Sequence, residues 1–526
     1  MKLYLIFILV ILLLIFIIDK SSSFNKIYNY EQKIPKIIHQ TYFEPDIYHL
    51  NKDYQKNINY LKKQNPEYEY RYYNNHDKNE FILENYGEEY LHYYHMIDSR
   101  YGAARADFFR YLLLYKVGGI YLDIKSSCKV PFRNIISSND EYILTSCIVK
   151  SHEHLLHTGY GEYSQWVIIC VPNHFFLKAV IDKCIYNIKN YNYLNAKINH
   201  NKIVTRSRDI HSSISKSDVL FTTGPIMYTE TIKELLTKYN YTFIPNNINN
   251  KLIYSVTNHI TNNHYSKNKN IPLIDSNYMN LNYEQKIQKN IFQTSYYKTI
   301  EEMPQKLQTN IKILKILNPE YKYQYFNDDE IEKYISNNYG KEYLNLYLKI
   351  NPQFPAARAD FFRYLVVNNE GGVYIDMKSS IVEPLREIIN NKDEYIITYW
   401  FDKNFNVKKN QSKNNKNEYN ENSVKTGHGE YCQWFVCGIK NHPFLINVIR
   451  ECINRIKNYN GEGIFYVTGP ILYTNIIKNL LYKYSHRLEY NRINHNIIYN
   501  IYKTGDYKNV VSKSDYDKQK KDQLIL

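Results

Sequence analysis

The chain has 526 residues and a mass of 63.2 kDa, and 67 Lys and Arg against 52 Asp and Glu leave a formal charge of +15. That length calls for two or three domains, and 44% hydrophobic with 16% aromatic residues is ample for buried cores, which excludes a wholly disordered chain. The basic residues are mostly scattered lysines with no Arg-rich stripe, so the charge does not argue for nucleic acid as a partner.

The 57 tyrosines, with abundant Ile, Lys and Asn, read as the codon bias of an AT-rich genome. The seven cysteines, Cys128, Cys147, Cys170, Cys184, Cys432, Cys437 and Cys452, form no CxxC pair and no zinc spacing, and read as small buried residues.

Residues Leu3 to Ile18 are uninterruptedly apolar between Met1-Lys2 and Asp19-Lys20. A helix of that length spans about 24 Å, slightly short of the hydrocarbon core. No small-x-small cleavage site follows, so residues 1–20 read as an uncleaved transmembrane signal anchor rather than a signal peptide. Lys2 favours a cytoplasmic N-terminus, hence a single-pass type II membrane protein with its globular part in the secretory-pathway lumen or outside. The sequons at Asn240-Tyr241-Thr242 and Asn410-Gln411-Ser412 are compatible with that placement.

The rest of the chain contains one unit twice. Ala103-Ala104-Arg105-Ala106-Asp107-Phe108-Phe109-Arg110-Tyr111-Leu112 followed by Gly118-Gly119-Ile120-Tyr121-Leu122-Asp123-Ile124-Lys125 returns, 253 positions later, as Ala356 to Leu365 followed by Gly371-Gly372-Val373-Tyr374-Ile375-Asp376-Met377-Lys378. Asn65-Pro66-Glu67-Tyr68, Gly161-Glu162-Tyr163, Gln165-Trp166 and Thr223-Gly224-Pro225 return as Asn318-Pro319-Glu320-Tyr321, Gly429-Glu430-Tyr431, Gln433-Trp434 and Thr468-Gly469-Pro470. The copies are assigned to residues 34–250 and 286–502, with an Asn-rich linker over 251–285 and a charged tail over 503–526. Two polar stretches, 195–218 in the first copy and 402–425 in the second, read as exposed and partly disordered insertions.

In chain order, Lys36 to Thr41 and Tyr68 to Tyr73 read as strands, Asp77 to Tyr86 and Ala103 to Tyr115 as helices, and Gly119 to Ile124 as a third strand. This alternation predicts an α/β fold with a largely parallel sheet. Gly118-Gly119 ends the second helix, and the third strand presents Asp123 at its carboxyl end, where open α/β sheets hold their ligands. Asp376 is its counterpart.

Ile34-Pro35-Lys36-Ile37-Ile38-His39-Gln40-Thr41, the Ala-Arg-Ala-Asp-Phe-Phe-Arg-Tyr helix and the Gly-Gly-Ile-Tyr-Leu-Asp strand together resemble glycosyltransferase family 32, whose members carry a sugar-binding region with a DXD motif and are typified by α-1,6-mannosyltransferases. The resemblance implies two tandem GT-A type, Rossmann-like glycosyltransferase domains after the transmembrane helix. It implies transfer of a hexose from a nucleotide-sugar co-substrate to a glycan, glycolipid or glycoprotein acceptor, with retention. It gives Asp107, Arg110, Asp360 and Arg363 as donor-sugar residues, adds Gly118, Gly119, Gly371 and Gly372 to the donor site, and makes Gln40, Thr41, Tyr42 and Gln293 the nucleotide side. Asp123 and Asp376 match the first Asp of DXD, which contacts donor ribose or sugar; this makes them catalytic residues and the only carboxylates of the motif left for Mn²⁺ or Mg²⁺.

The second Asp is replaced by Lys125 and Lys378. An ammonium cannot ligate a cation, so either these lysines themselves stabilise the leaving diphosphate, or the two domains are disabled and the protein is a non-catalytic binder of carbohydrate or nucleotide sugar. On spacing alone, Asp107 and Arg110 share a helix face, where they either fix sugar hydroxyls or form an internal ion pair. Tyr42 and Phe43 offer stacking or packing. The Gln-Trp motifs are acceptor site or core, and the Thr-Gly-Pro helix starts are phosphate sites or plain turns. His152, His154 and His157 have no counterpart in the second copy and read as a solvated loop. The second copy also loses part of the first-strand pattern over Gln288 to Ser295, so a single active unit would be the first.

Overall fold

A computed structural model describes residues 31–146, 151–204, 213–239, 249–257, 271–275, 278, 280–400, 420–490, 496–502 and 523–526. The predicted anchor over 1–20 lies outside these residues. Among the described residues no helix is long and apolar enough to cross a membrane. Two compact units emerge, one of residues up to Asn74 with Phe81–Tyr278, the other of Met279–Leu526 with Asn75–Glu80.

The first unit contains β1 (Ile37–Thr41), β2 (Glu69–Tyr73), β3 (Gly119–Leu122), β4 (Ser127–Cys128), β5 (Tyr142–Ile143), β6 (Val167–Cys170) and β7 (Leu252–Ile253). The sheet order is β2-β1-β3-β6-β5, and β4 pairs with β7. The helix Lys52–Gln64 is started by Asn51, whose side chain accepts from the Tyr54 N–H, and it buries Tyr54, Ile58 and Leu61 at helical spacing. The helix Gly102–Val117 is buried along almost its whole length and is closed by the Gly118 N–H on the Leu114 carbonyl.

Gly118 and Gly119 have positive φ values of 68° and 99°. A Cβ at Gly118 would come within 2.7 Å of the Pro172 ring, and one at Gly119 within 2.7 Å of the Ile37 carbonyl oxygen. Glycine is required at both places.

The sheet departs from the largely parallel expectation. β1 runs parallel to β2 and β3, but β6 runs antiparallel to β3 and β5 antiparallel to β6. The reversal has a functional consequence, because β6 starts at the end where β3 stops, pairing Val167 with Leu122. The Gln165-Trp166 motif is thereby delivered beside Asp123.

The second unit repeats the plan with β8 (Asn290–Thr294), β9 (Lys322–Phe326), β10 (Gly372–Ile375), β11 (Ser380–Ile381), β12 (Tyr395–Tyr399), β13 (Phe435–Gly438), β14 (Arg487–Tyr490) and β15 (Ile497–Ile498). Its sheet runs β14-β12-β13-β10-β8-β9, with β11 paired to β15. The altered sequence over Gln288 to Ser295 still forms the first strand, with β8 parallel to β9 and β10.

Three further expectations need correction. The segment assigned as linker is in part structural: Leu252–Ile253 pairs with β4, Ile274 bridges to Ile97, and Leu273, Ile274 and Tyr278 are buried. The charged tail ends in apolar Leu524 and Ile525, both buried, with Ile525 bridging Ile350. In the 195–218 stretch, Tyr193–Val204 and Ile214–Thr222 are helices, the second begun by the Ser213 side chain accepting from the Lys216 N–H. Most of the 402–425 stretch lies outside the described residues. Six cysteines are buried and free, as read from the sequence; Cys147 is outside the described residues.

Candidate functional site

Asp123 leaves the carboxyl end of β3 with its backbone fixed on three sides. Its N–H donates to the Trp166 carbonyl at 2.9 Å, and its own carbonyl accepts from the Ser126 N–H at 2.8 Å and from Gln40 Nε2 at 3.0 Å. The Gln40 amide oxygen in turn accepts from the Tyr70 hydroxyl at 2.9 Å. The carboxylate remains accessible, with its side chain 24% exposed. Oδ1 accepts from Arg110 Nη2 at 3.0 Å, while Oδ2 has no partner among the described residues.

Behind this carboxylate lies a buried polar network. Arg110 donates through Nη1 to the Gln165 carbonyl at 2.6 Å and through Nε to the Ala106 carbonyl at 3.3 Å, pairs with Asp107 at 3.2 Å, and lies over the Tyr121 ring at 4.5 Å. Asp107 Oδ1 also accepts from Gln165 Nε2 at 3.2 Å, and its Oδ2 from Thr223 Oγ1 at 3.1 Å. The Tyr111 hydroxyl reaches Gln165 Oε1 and the Thr223 carbonyl.

Two carboxylates therefore share one guanidinium. Burial pushes the Asp107 carboxyl up to about 7; Arg110 pulls against this and the Asp123 charge adds to it. Burial alone would lower the Arg110 guanidinium, but Tyr121, Asp123 and Asp107 outweigh it and hold it above its ordinary value.

The second unit reproduces this arrangement atom for atom. Arg363 meets Asp376 at 3.1 Å, Asp360 at 3.2 Å and the Gln433 carbonyl at 2.7 Å, and Asp360 accepts from Gln433 at 2.9 Å and Thr468 at 3.3 Å. Asp360 is likewise pushed up to about 7 by burial, against Arg363.

The geometry reassigns several residues. Asp107, Arg110, Asp360 and Arg363, expected to hold the donor sugar, are at most 4% exposed and spend their polar atoms on protein partners, so they position Asp123 and Asp376. Gln40 and Gln293 are fully buried; Gln293 holds the Asp376 carbonyl as Gln40 holds that of Asp123. Thr41 is spent on the Tyr121 hydroxyl, and the Tyr42 ring stacks on Phe43 and meets Tyr54 edge-on. Gly118, Gly119, Gly371 and Gly372 lie at the opposite end of β3 and β10 from the acids, about 13–16 Å away at strand rise, and cannot touch a donor there.

Thr223 and Thr468 serve the buried acids rather than a phosphate. His152 pairs with Glu162 at 2.8 Å, which replaces the solvated-loop reading for that residue.

Lys125, two residues beyond Asp123, is half-buried. Its Nζ donates to the Tyr254 hydroxyl at 2.9 Å and lies 4.2 Å from the centre of that ring. Burial pulls the ammonium down, but the Tyr254 hydroxyl and the Asp123 charge outweigh it and raise its pKa above the ordinary lysine value. Lys378 meets Tyr499 in the same way, at 3.1 Å to the hydroxyl and 4.6 Å to the ring centre.

Sequence reading missed these tyrosines, because Tyr254 lies in what read as linker and Tyr499 among the last residues assigned to the second copy. The available signal was the repeated Ile253-Tyr254 and Ile498-Tyr499, which return at a different spacing from the other motifs.

Among the described residues no all-protein donor set for a divalent cation is built at the motif acids. Asp123 and Asp376 are single carboxylates flanked by a guanidinium and an ammonium. The one group of three His, Cys, Asp or Glu side chains close enough to share an ion among the described residues, His76, Asp77 and Glu80, includes neither of them. The expectation of Mn²⁺ or Mg²⁺ at these acids does not fit the residues present.

A family model described as "Glycosyltransferase sugar-binding region containing DXD motif" matches residues 51–142 and 304–396, one match in each repeat. The chain is 24% identical over 184 residues to the initiation-specific alpha-1,6-mannosyltransferase of Schizosaccharomyces pombe, covering 32% of this chain and 43% of that protein. It is 36% identical over 126 residues to inositol phosphoceramide mannosyltransferase 3 of the same yeast, covering 22% and 33%. It is 32% identical over 88 residues to an uncharacterized glycosyltransferase, L373, of Acanthamoeba polyphaga mimivirus, covering 17% and 34%. The chain thus spans less than half the length of these relatives. The sugar-binding region of that family model is thus matched once in each half of the chain, with an acid at the same strand end in each.

Proposed function

We propose that the chain is a hexosyltransferase whose two units each take a nucleotide sugar at the carboxyl end of the third strand and pass the hexose to a glycan, glycolipid or glycoprotein. The observation that carries this reading is the pairing, at the third strand's end in the first unit, of an Asp123 carboxylate oxygen without a partner among the described residues and the Lys125 ammonium, which uses one of its three N–H groups on protein. The first accepts from a ribose or sugar hydroxyl; the second faces the diphosphate. The names of the yeast relatives favour a mannosyl donor.

In the transfer, the bond between the anomeric carbon and the diphosphate oxygen breaks and its electron pair leaves with the diphosphate. The acceptor oxygen bonds to the anomeric carbon as its proton is released. Lys125 and Lys378 stabilise the charge that develops on the leaving oxygen, where preorganised cations in a partly dry site are most effective. Retention of configuration is part of the proposal, as is an N-terminal type II anchor.

The test is release of nucleoside diphosphate from GDP-mannose and a panel of UDP-hexoses by the full chain, with Mn²⁺, with Mg²⁺ and with chelator, beside Asp123→Asn and Asp376→Asn. Turnover that survives chelator and is lost in the double variant is the expected result. The replacement of the second motif Asp by Lys favours one competing reading, a binder that turns nothing over; donor binding with no diphosphate release from any donor would establish it.

A further inference from the structure

After each Asp-x-Lys-Ser-Ser motif the chain is met by a short strap from much later in the sequence. In the first unit β7 pairs antiparallel with β4, matching Leu252 to Cys128 and Ile253 to Ser127. The strap is fastened further by the Lys129 N–H on the Lys251 carbonyl at 2.8 Å, the Ser126 hydroxyl on the Tyr254 carbonyl at 2.7 Å and the Val256 N–H on the Lys125 carbonyl at 2.8 Å. The second unit repeats each fastening: β11 with β15, Val382 on Asn496 at 2.8 Å, the Ser379 hydroxyl on the Tyr499 carbonyl at 2.6 Å and Ile501 on Lys378 at 2.9 Å.

The strap is therefore held by its backbone, and the phenol it carries is not needed to hold it. Tyr254 remains 54% exposed and Tyr499 38% exposed. Each ring is braced edge-on or tilted by the tryptophan of the Gln-Trp motif, Trp166 at 5.4 Å from Tyr254 and Trp434 at 5.4 Å from Tyr499. What the phenol does touch is the lysine, through both its oxygen and its π face.

A lysine beside a site has a four-carbon stem with wide rotamer freedom, and ordering it costs free energy that is lost from binding. A hydroxyl acceptor and an aromatic face together define one position for the ammonium, and in the first unit they leave the other N–H groups of Lys125 for a ligand.

From this geometry we infer that Tyr254 and Tyr499 are positioning residues for the diphosphate-binding lysines: carried in on the strap, each fixes the ammonium of Lys125 or Lys378 beside the Asp of its motif before any donor arrives. The inference rests on the proposed donor site and adds the residue that replaces, by preorganisation, the rigidity a coordinated cation would supply.

The test is a double-mutant cycle in the full chain, with both copies changed together so that neither masks the other. Affinities for UDP, GDP, CDP and ADP, each alone, are measured by calorimetry for the unmodified chain, Tyr254→Phe/Tyr499→Phe, Lys125→Ala/Lys378→Ala, and the fourfold variant. Phenylalanine keeps the ring and its packing on tryptophan and removes one hydrogen-bond acceptor from an exposed position, so the fold is retained.

The expected result is a loss of about threefold to tenfold on Tyr→Phe when the lysines are present, and no further loss when they are alanine. An equal loss in both backgrounds, or none with lysine present, overturns the positioning role while leaving the donor site standing. Failure of the unmodified chain to bind any of the four nucleotides overturns the donor site itself and this inference with it.

Discussion

The two units hold the glycine turn that opens the third strand with different residues. In the first, His39 Nε2 meets the Gly118 carbonyl at 3.0 Å, and burial lowers the imidazole pKa to about 4, so the ring is neutral. In the second, Phe292 occupies the equivalent place in the strand, and Asn290, two residues earlier, donates through Nδ2 to the Gly371 carbonyl at 3.1 Å. What is kept is a donor to the carbonyl that opens the glycine turn. The altered first strand of the second unit is therefore no sign of decay, and it gives no reason to favour the first unit as the sole active one. Divergence appears instead at the end of β12, where Tyr399 stands in place of Ser146 and the neighbouring Trp400 meets Tyr499 edge-on at 5.1 Å.

The strongest way to break the equivalence of the two units is to remove the guanidinium. Arg110→Met leaves Asp107 buried without a counter-charge, and breaking a buried pair by deleting one partner costs about 3–5 kcal/mol. Arg363→Met should cost the second unit as much, because its contacts repeat within 0.1 Å at both carboxylates. Urea unfolding of each variant checks this; a loss confined to one unit would show that only that unit depends on the network.

Lys125→Ala and Lys378→Ala separate the units by activity. Removing a preorganised charge at the leaving group costs about 10²–10³-fold in turnover, so the double variant should be nearly inactive and each single variant should keep the share of the untouched unit. Nucleotide release by the two single variants measures that share directly. A single variant as inactive as the double one would assign all turnover to one unit.

His39→Phe in the first unit and Asn290→Ala in the second each remove one donor to a buried carbonyl, at an expected cost of about 1–2 kcal/mol. His39→Phe combined with Ile37→Asn transplants the second unit's solution into the first and should recover most of the loss. Melting temperatures of these three variants test whether the two solutions are interchangeable.

Much of this was legible in the sequence because repetition marks what a fold cannot change. The Gly-Gly pair, the acid after the strand and the Asp107-Arg110 spacing identify the strand end and its helix. Burial was not legible: a helix with Asp and Arg three apart looks the same whether those groups face a sugar or a closed network, and only the packing of Gln165 and Thr223 against Asp107 decides it. The antiparallel return of β6 was hidden because a four-residue apolar run carries no direction. Tyr254 was hidden because its strap lies within residues that read as linker, and a contact across more than a hundred residues leaves no local pattern.

The smallest expected effect concerns protons, and it sharpens the comparison because both units should show it alike. Asp107 and Asp360 are pushed up to about 7 in the folded protein, first by burial and then by the second carboxylate sharing their guanidinium, against an ordinary value of 3.8. Between those two values the folded chain holds protons that the unfolded chain has released. Stability therefore falls as pH rises from about 4 to about 7, and the full contribution is present only below that window. Asp107→Asn with Asp360→Asn keeps the shape and removes the titration, so its urea midpoint should decline less than that of the unmodified chain between pH 5.0 and 7.5. Parallel declines would mean that both acids stay ionised throughout, each held by its arginine despite the competing carboxylate; a difference produced by only one of the two single variants would show that the units, alike in their distances, differ in how dry their networks are.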